Sequence, residues 1–413
     1  MLLFSNSQIP WLLLVLLCLV SPFQQVSALD DPLCQVASSS LEKASKIRGL
    51  EIKTKVPCLV RDKEHVKKYL LHTIKTKLPP NKLKHEEQVY KALGLLPAEF
   101  DYSDGLIELY LSQIGGYYDP EEDHFVMAAW MPAILQTTVA VHELTHGLQD
   151  QYFDLEKFVN PKIENSDLLL ARSALVEGDA TAVMFDYARQ LAGQGSIAED
   201  PDVEGFMIQN ILGASLVTGS VPESLKMMLI FPYTSGLRFV HQLLRKGGYE
   251  RVNQAFGQPP RSTEEILHPE KYYQEQADFR EISDEQQRSA LLPESAVKVY
   301  SDTMGEFAIS AMLGNYAKNR LAAAQASQGW GGDRVALYQV GSSSSTWVVW
   351  KTIWDTESDA QQFFAEFETT LRKRFVEISR RKGSAGPMLL RDGTKLHLKR
   401  EGLEIEFVVE PKD

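Results

Sequence analysis

The chain has 413 residues, of which 44% are hydrophobic and 24% are charged, and its formal net charge at pH 7 is -12. This length accommodates one large domain or two to three ordinary ones, and the composition excludes a disordered or fibrous protein. The acidic balance and the lack of a basic stripe exclude nucleic acid as the main partner. The basic cluster at residues 372–381 is predicted to be the solvated face of a helix.

The first residues resemble a targeting segment. An unbroken apolar run, WLLLVLLCLV at residues 11–20, is followed by Pro22 and by a small-residue stretch that ends at Ala28. The run is shorter than the roughly 20 residues of a bilayer span, and the pattern is typical of a signal peptide cleaved after Ala28. We therefore expect residues 1–28 to be removed and the protein to be secreted or periplasmic. Because no Lys or Arg precedes the run, an uncleaved membrane anchor remains the alternative.

Two cysteines remain once Cys18 is removed with the signal peptide. They are Cys34 and Cys58. An even pair in an exported chain favours one disulfide, which would staple the N-terminal segment, and two free cysteines are the alternative.

Residues 29–100 are predicted to form a helical N-terminal segment. Apolar residues recur three and four apart at residues 41–47 and 64–78, and Pro79-Pro80 ends the second helix. A turn-rich stretch at residues 115–120 then leads into a short strand at residues 124–127.

The middle of the chain, residues 101–295, is predicted to be the catalytic unit. Residues 134–152 have a strong helical pattern, and a second long helix continues to about residue 191, with Ser166 or Asp167 as its N-cap. Further helices are predicted at residues 204–216 and at residues 236–246, the latter ended by Gly247-Gly248.

The C-terminal part, residues 296–413, has a different texture. It is predicted to contain a tight turn at residues 329–334, strands at 335–340 and 345–352, a helix at 359–375 and a strand at 396–409. This β-β-α-β order predicts a small α+β unit. The fold class of the whole chain is therefore predicted to be α+β and predominantly helical.

The predicted helix at residues 134–152 contains the motif H-E-x-x-H. It consists of His142, Glu143, Leu144, Thr145 and His146. Positions i and i+4 lie on one face of a helix, so both imidazoles can reach a single ion, and Glu143 lies beside that face. Zinc in a catalytic site needs a third protein ligand and an open fourth position.

The third ligand is predicted on the second long helix. A metzincin-type extension of the motif is excluded, because Gln149 and Tyr152 stand where that pattern needs Gly and His. Glu177 suits the role, since small residues at 178, 180 and 182 allow two helices to approach closely. A carboxylate in so apolar a stretch also requires a partner.

These motifs resemble those of the gluzincin metallopeptidases, the thermolysin-like class in which H-E-x-x-H is completed by a downstream Glu, often within an E-G-x-A stretch. The resemblance implies a zincin-like catalytic domain with Zn²⁺ bound by His142, His146 and Glu177. It also implies that Glu143 is the general base and that the substrate is a peptide or a protein.

The chain departs from the gluzincin pattern next to the metal site. Many gluzincins place Asp four residues after the ligand Glu, to orient a ligand histidine, and this chain has Thr181 there and Asp179 two residues after Glu177. Asp179, Thr181 and Asp150 are therefore all candidates for the group that fixes an imidazole tautomer. A plain surface role is the alternative for Asp179.

Residues 232–236 (PYTSG) resemble the Pro-Tyr-x-x-Gly helix start of aminopeptidase N-like gluzincins. The resemblance implies that Tyr233 donates a hydrogen bond to the oxyanion, and a packed core tyrosine is the alternative. His241 is a second candidate for that donor, although a core histidine is the expected role.

The stretch before the metal helix is the predicted substrate edge. Zincins place an edge strand there, so residues 116–127 would bind an extended substrate by added-strand hydrogen bonds, with an ordinary hairpin as the alternative. Residues 259–269 are predicted to be a packing loop that leads into a short capped helix.

The sequence thus predicts an extracytoplasmic zinc metallopeptidase. One alternative is a zinc-binding but non-catalytic binding or assembly protein of the cell envelope. The other is a zinc hydrolase that acts on a non-peptide amide. A membrane tether is expected only if the N-terminal segment stays uncleaved.

Overall fold

The computed structural model describes residues 32–203, 205, 221–275, 279–341, 345–374, 388–390 and 392–412. The predicted signal peptide lies outside these residues, and so does almost all of the helix predicted at residues 204–216. Within the described ranges, no helix is both long enough and apolar enough to cross a membrane.

The described part of the chain is α+β and predominantly helical, as the sequence predicts. The α-helices are α1 (Pro32–Arg48), α2 (Lys63–Lys77), α3 (Lys82–Leu93), α4 (Tyr102–Gln113), α5 (Ala133–Phe153), α6 (Leu155–Phe158), α7 (Ser166–Leu191), α8 (Glu223–Gly257), α9 (Thr263–Leu267), α10 (Pro269–Tyr272), α11 (Asp284–Gln287), α12 (Gly305–Gly314), α13 (Arg320–Ser327) and α14 (Glu357–Arg374). The strands are β1 (Cys58–Arg61), β2 (Gly116–Asp119), β3 (His124–Ala128), β4 (Ala296–Asp302), β5 (Trp330–Val340), β6 (Thr346–Trp354), β7 (Met388–Leu389), β8 (Lys395–Glu401) and β9 (Glu404–Glu410).

A small three-stranded sheet has the order β1-β3-β2, with β1 parallel and β2 antiparallel to the central strand β3. The strand predicted at residues 124–127 is confirmed as β3. The substrate-edge prediction for residues 116–127 needs a correction, because β3 has strand neighbours on both sides. Within residues 116–127, only β2 is an edge strand of this sheet as described.

Helix α1 is held against this sheet and against α5. Apolar residues of α1, β3 and α5, among them Leu41, Phe125 and Leu144, form one buried cluster. The structure also joins Cys34 on α1 to Cys58 on β1 in a disulfide with a Cα–Cα distance of 5.6 Å. The N-terminal helix is therefore stapled onto the elements that lead to the H-E-x-x-H motif.

A six-stranded sheet of order β4-β5-β6-β9-β8-β7 forms the C-terminal part, and its described strand pairs are all antiparallel. Its core contains Trp350 and Phe363, and it also takes in Leu93 and Leu109 from α3 and α4. The predicted N-terminal segment at residues 29–100 is thus divided between two cores, because α1 packs on α5 whereas α3 packs on the C-terminal sheet.

Two elements of the C-terminal part differ from the sequence prediction. The tight turn predicted at residues 329–334 is largely the start of β5. The single strand predicted at residues 396–409 is a hairpin of β8 and β9, which turns at Gly402 with φ of 58°. Glycine adopts this positive φ without the steric cost that a side chain would add.

The N-cap of α7 is Asn165, whose side chain accepts a hydrogen bond from the Leu168 N–H. The predicted N-caps, Ser166 and Asp167, were wrong by one and two positions, because the side chains of both residues form hydrogen bonds to other elements. Ser166 donates to Asp302, and Asp167 accepts from Thr263 at the start of α9.

Helix α8 begins at Glu223 and not near residue 236 as predicted. It includes Pro232 and leaves helical geometry at Gly247 and Gly248, where the sequence predicts its end, before it resumes. The predicted packing loop at residues 259–269 leads into α9, whose N-cap is Ser262.

Candidate metal centre

Three side chains from α5 and α7 converge at one point. Nε2 of His142 lies 3.1 Å from Oε2 of Glu177, and Nε2 of His146 lies 3.4 Å from the same oxygen. The two Nε2 atoms are 3.2 Å apart. The i, i+4 spacing on α5 turns both imidazoles toward α7, as the motif predicts.

The geometry of these atoms fits a zinc ion. In a tetrahedral site with zinc–ligand bonds of about 2.0–2.1 Å, two ligand atoms are about 3.3 Å apart. The three distances cluster around that value, and the ligand atoms all lie within 4.8 Å of one another. Two imidazoles and one carboxylate also leave one of four positions for water or substrate.

Electrostatics favour a cation at this point. Burial penalises the charged forms of both groups, but the ion-pair interactions outweigh it. The neighbouring Glu177 and Glu143 carboxylates raise the pKa of His146 to about 9. The two imidazoles hold the pKa of Glu177 well below its usual range. The surrounding carboxylates therefore favour a positive charge at this point, which a bound metal cation would supply.

Close packing of α7 on α8 positions Glu177. A β carbon on Gly178 would overlap the main chain of Gly236, and one on Gly236 would overlap the carbonyl oxygen of Ala174. The small residue after Glu177 thus allows close approach, as expected. The helix that approaches at this point is α8, however, and not the H-E-x-x-H helix.

That contact brings Tyr233 of α8 to the cluster. Its ring stacks on His142 at a centroid distance of 6.0 Å, and the Tyr233 hydroxyl lies close enough to Glu177 to feel its charge. Burial and the charges of Glu177 and Glu143 raise the pKa of Tyr233 well above its usual value. Tyr233 lies inside a continuous helix, and not at a helix start as the resemblance implied.

His241 lies away from the cluster. Its Nε2 is 3.0 Å from the carbonyl oxygen of Ile197 and 3.1 Å from that of Asp200. The side chain is buried, so it ties α8 to the loop after α7.

Glu143 faces the outer edge of β2. Its Oε2 accepts a hydrogen bond of 3.2 Å from the Tyr118 N–H. Burial raises the pKa of Glu143, and the two imidazoles oppose that effect. The Ala128 N–H donates to the Gly115 carbonyl, so alternate residues of β2 turn their polar groups toward β3. Gly116 and Tyr118 therefore turn theirs outward, toward Glu143.

Gln149 contacts Nδ1 of His146, although the sequence did not predict a role for it. Oε1 of Gln149 lies 2.8 Å from Nδ1 of His146, and Nε2 of Gln149 donates to Oδ2 of Asp179 at 2.9 Å. The same Asp179 oxygen accepts from Nε of Arg48 at 2.8 Å. Gln149 follows His146 by three positions on the same helical face, and this spacing could have revealed it.

The three predicted orienting residues differ in their placement. Asp179 is fully buried, which excludes the surface alternative, and it reaches His146 only through Gln149. Asp150 accepts from the Tyr118 hydroxyl and the Leu155 N–H. The Thr181 hydroxyl has no hydrogen-bond partner within the described residues. No described hydrogen bond links Asp150 or Thr181 to an imidazole, which corrects both predictions.

A protein-family comparison matches the C-terminal part of the chain. A domain of unknown function (DUF8575) matches residues 294–412, which include the six-stranded sheet but none of the metal-cluster residues. No curated protein matches the chain. No solved structure matches it either. The matched family therefore carries no information about the cluster of His142, His146 and Glu177.

Proposed function

We propose that the protein is a zinc-dependent metallopeptidase of the gluzincin type that acts on peptides or proteins outside the cytoplasm. The observation that carries this proposal is the convergence of His142, His146 and Glu177 with ligand atoms within 4.8 Å of one another. Glu143 and Tyr233 flank that cluster with the groups that hydrolysis requires.

His142, His146 and Glu177 would hold the ion. A bound zinc ion supplies Lewis acidity and makes a nucleophilic water available near neutral pH. The two imidazoles would bind the ion through Nε2, which is the atom that each turns toward Glu177.

Glu143 is the general base in this proposal. Its carboxylate takes a proton from the attacking water and passes it to the leaving amine, a role that typically contributes about 10²–10⁴-fold. Its raised pKa fits this task, because a base whose pKa lies closer to the working pH can also act as the acid.

Tyr233 is the oxyanion donor. Its pKa is well above the usual value, so the phenol stays protonated at neutral pH and can donate to the carbonyl oxygen as negative charge develops there. One such donor typically contributes about 10²–10³-fold.

The edge of β2 supports a peptide substrate over another amide. The outward N–H and C=O groups of Gly116 and the outward C=O of Tyr118 could pair with an extended peptide, while the Tyr118 N–H donates to Glu143. An added strand would therefore bind beside the base. The disulfide between Cys34 and Cys58 fits an oxidising, extracytoplasmic compartment.

The test is the zinc content and peptidase activity of the chain that begins at Leu29. Wild-type protein should contain one equivalent of zinc and cleave a generic protein substrate, whereas Glu177→Ala should lose both. Glu156→Ala, which removes an exposed carboxylate from α6, is the matched control and should retain both.

Wild-type protein without zinc, even after metal is supplied, would overturn the proposal. Zinc binding without cleavage of any peptide would favour the non-catalytic binding protein or the hydrolase of another amide. Full zinc content in Glu177→Ala would assign the third ligand to another residue.

A further inference from the structure

We propose that Gln149, Asp179 and Arg48 form a hydrogen-bonded chain that positions His146, so that the N-terminal helix α1 is part of the metal site. This inference rests on the proposed function, because it requires a metal ion at His146. The three are positioning residues, since none of them is among the groups assigned to the ion or the substrate.

The first link sets the orientation of His146. Gln149 is fully buried, and its Nε2 donates to Oδ2 of Asp179 at 2.9 Å and to the carbonyl of Val176 at 3.0 Å. A flipped amide would place its oxygen against both acceptors, so Oε1 must face His146. Nδ1 of His146 therefore carries a hydrogen, which leaves Nε2, the nitrogen turned toward His142 and Glu177, as the atom that would bind an ion.

The second link explains why Asp179 can be buried. Both Asp179 and Arg48 have side chains with 0% exposure, and one carboxylate oxygen accepts from both Gln149 and Arg48. Removing Arg48 would leave a buried carboxylate unpaired, which is strongly destabilising, whereas an apolar pair at these positions would be tolerated well. A buried ion pair is therefore poorly explained by stability alone, and its second contact is with the glutamine on His146.

The third link connects these hydrogen bonds to the N-terminal helix α1. Arg48 is the last residue of α1, and its guanidinium lies 4.8 Å from the ring centre of Tyr249 on α8. The disulfide from Cys34 and the shared core hold α1 on β1, β3 and α5. Docking of α1 thus delivers Arg48 to Asp179 from a position 131 residues away in sequence.

His142 has no equivalent support. Its Nδ1 is buried and has no hydrogen-bond partner within the described part of the chain. Its ring is instead packed between those of His146 and Tyr233. Polar positioning of the metal ligands from α5 is therefore concentrated on His146.

The experiment measures zinc affinity by competition with a chelator, using zinc alone as the probe. Gln149→Met should weaken zinc binding about 10–100-fold, the usual effect of losing a group that orients a ligand histidine. Gln151→Met is the matched control. Gln151 lies on the same helix and its amide bonds the loop at Lys53 and Thr54, so it contacts the N-terminal segment without reaching the ion.

A second variant separates positioning from folding. Asp179→Asn keeps the size of the side chain and should weaken zinc binding by a smaller factor. If the residues act as one chain, the double variant with Gln149→Met should bind zinc no more weakly than Gln149→Met alone. Visible spectra of the cobalt(II)-loaded proteins report the ligand geometry, and they should change for both variants but not for Gln151→Met.

The outcomes distinguish this inference from the proposed function. Zinc affinity and cobalt spectra of Gln149→Met and Asp179→Asn equal to those of Gln151→Met would overturn the positioning chain and leave the peptidase proposal intact. Fully additive losses in the double variant would also overturn it. Wild-type protein that binds no zinc would overturn both.

Discussion

Gly236 of α8 and Ala174 of α7 meet main chain to main chain, so closely that a β carbon on Gly236 would overlap the carbonyl oxygen of Ala174. The contact lies three positions from Tyr233 on one helix and three from Glu177 on the other. It therefore sets how far the Tyr233 phenol stands from Glu177.

Gly236→Ala should separate the two helices at this crossing. We expect a loss of about 1–3 kcal/mol in the free energy of unfolding, as for overpacked cores, together with reduced peptidase activity as Tyr233 moves from Glu177. Denaturant unfolding and a peptidase assay measure the two effects. Gly257→Ala at the end of the same helix, where a β carbon meets nothing within 4 Å, is the control. Equal stability of the two variants would contradict the prediction.

Substitutions of Glu143 and of His146 should have different effects on the zinc content of the protein. Glu143→Gln should keep one equivalent of zinc and lose turnover, because Glu143 is placed beside the cluster and is not a ligand. His146→Ala should lose the metal, since it removes one of the three atoms proposed to bind it. Metal analysis with a peptidase assay checks both, and an equal loss of zinc in the two variants would reject the base assignment.

Tyr233→Phe should lower kcat about 10²–10³-fold and leave the zinc content unchanged. The phenyl ring keeps the stacking on His142, so only the hydroxyl at Glu177 is lost. The loss should be smaller than that of Glu143→Ala. An unchanged kcat would assign Tyr233 to packing alone.

Glu86 should make stability depend on pH. The side chain is 5% exposed, and burial, with a contribution from Asp302, raises its pKa to about 7 although Lys82 opposes the shift. The folded protein therefore holds a proton between about pH 4.5 and 7 that the unfolded chain releases. Its contribution to stability is present below pH 4.5 and is lost as the pH rises through 7.

Glu86→Gln removes this titration. Relative to wild type, the free energy of unfolding of the variant should rise by up to about 3 kcal/mol between pH 4.5 and pH 8, because burial raises the pKa of Glu86 from 4.5 to about 7 in the wild type. Denaturant unfolding at both pH values measures the difference. Glu42→Gln, which changes an exposed carboxylate on α1, should show no such gain. A difference in unfolding free energy between Glu86→Gln and wild type that is the same at both pH values would contradict the raised pKa of Glu86.

Replacing both Cys34 and Cys58 with serine should lower the free energy of unfolding by about 3 kcal/mol, as expected for a loop with a sequence separation of 24. Because α1 carries Arg48, zinc affinity should fall as well. Unfolding and chelator competition measure the two effects. Unchanged stability would show that the core around Leu41 holds α1 without the bridge.

Local patterns determined much of this protein from the sequence alone. A period of 3.6 residues predicts α5 and α7, and the i, i+4 spacing of His142 and His146 predicts that both imidazoles reach one point. A carboxylate in an apolar stretch likewise identified Glu177. These features depend on residues close together in the chain, so helix geometry is sufficient to predict them.

Only the tertiary structure decided which groups surround that point. Tyr233 reaches Glu177 because α8 continues through Pro232 and crosses α7 at Gly236, which no local motif specifies. Gln149 reaches His146 with its orientation set by Asp179, and Asp179 is paired with Arg48, 131 residues away in sequence. Such contacts depend on how helices pack and which rotamers that packing allows, and one sequence read locally does not contain that information.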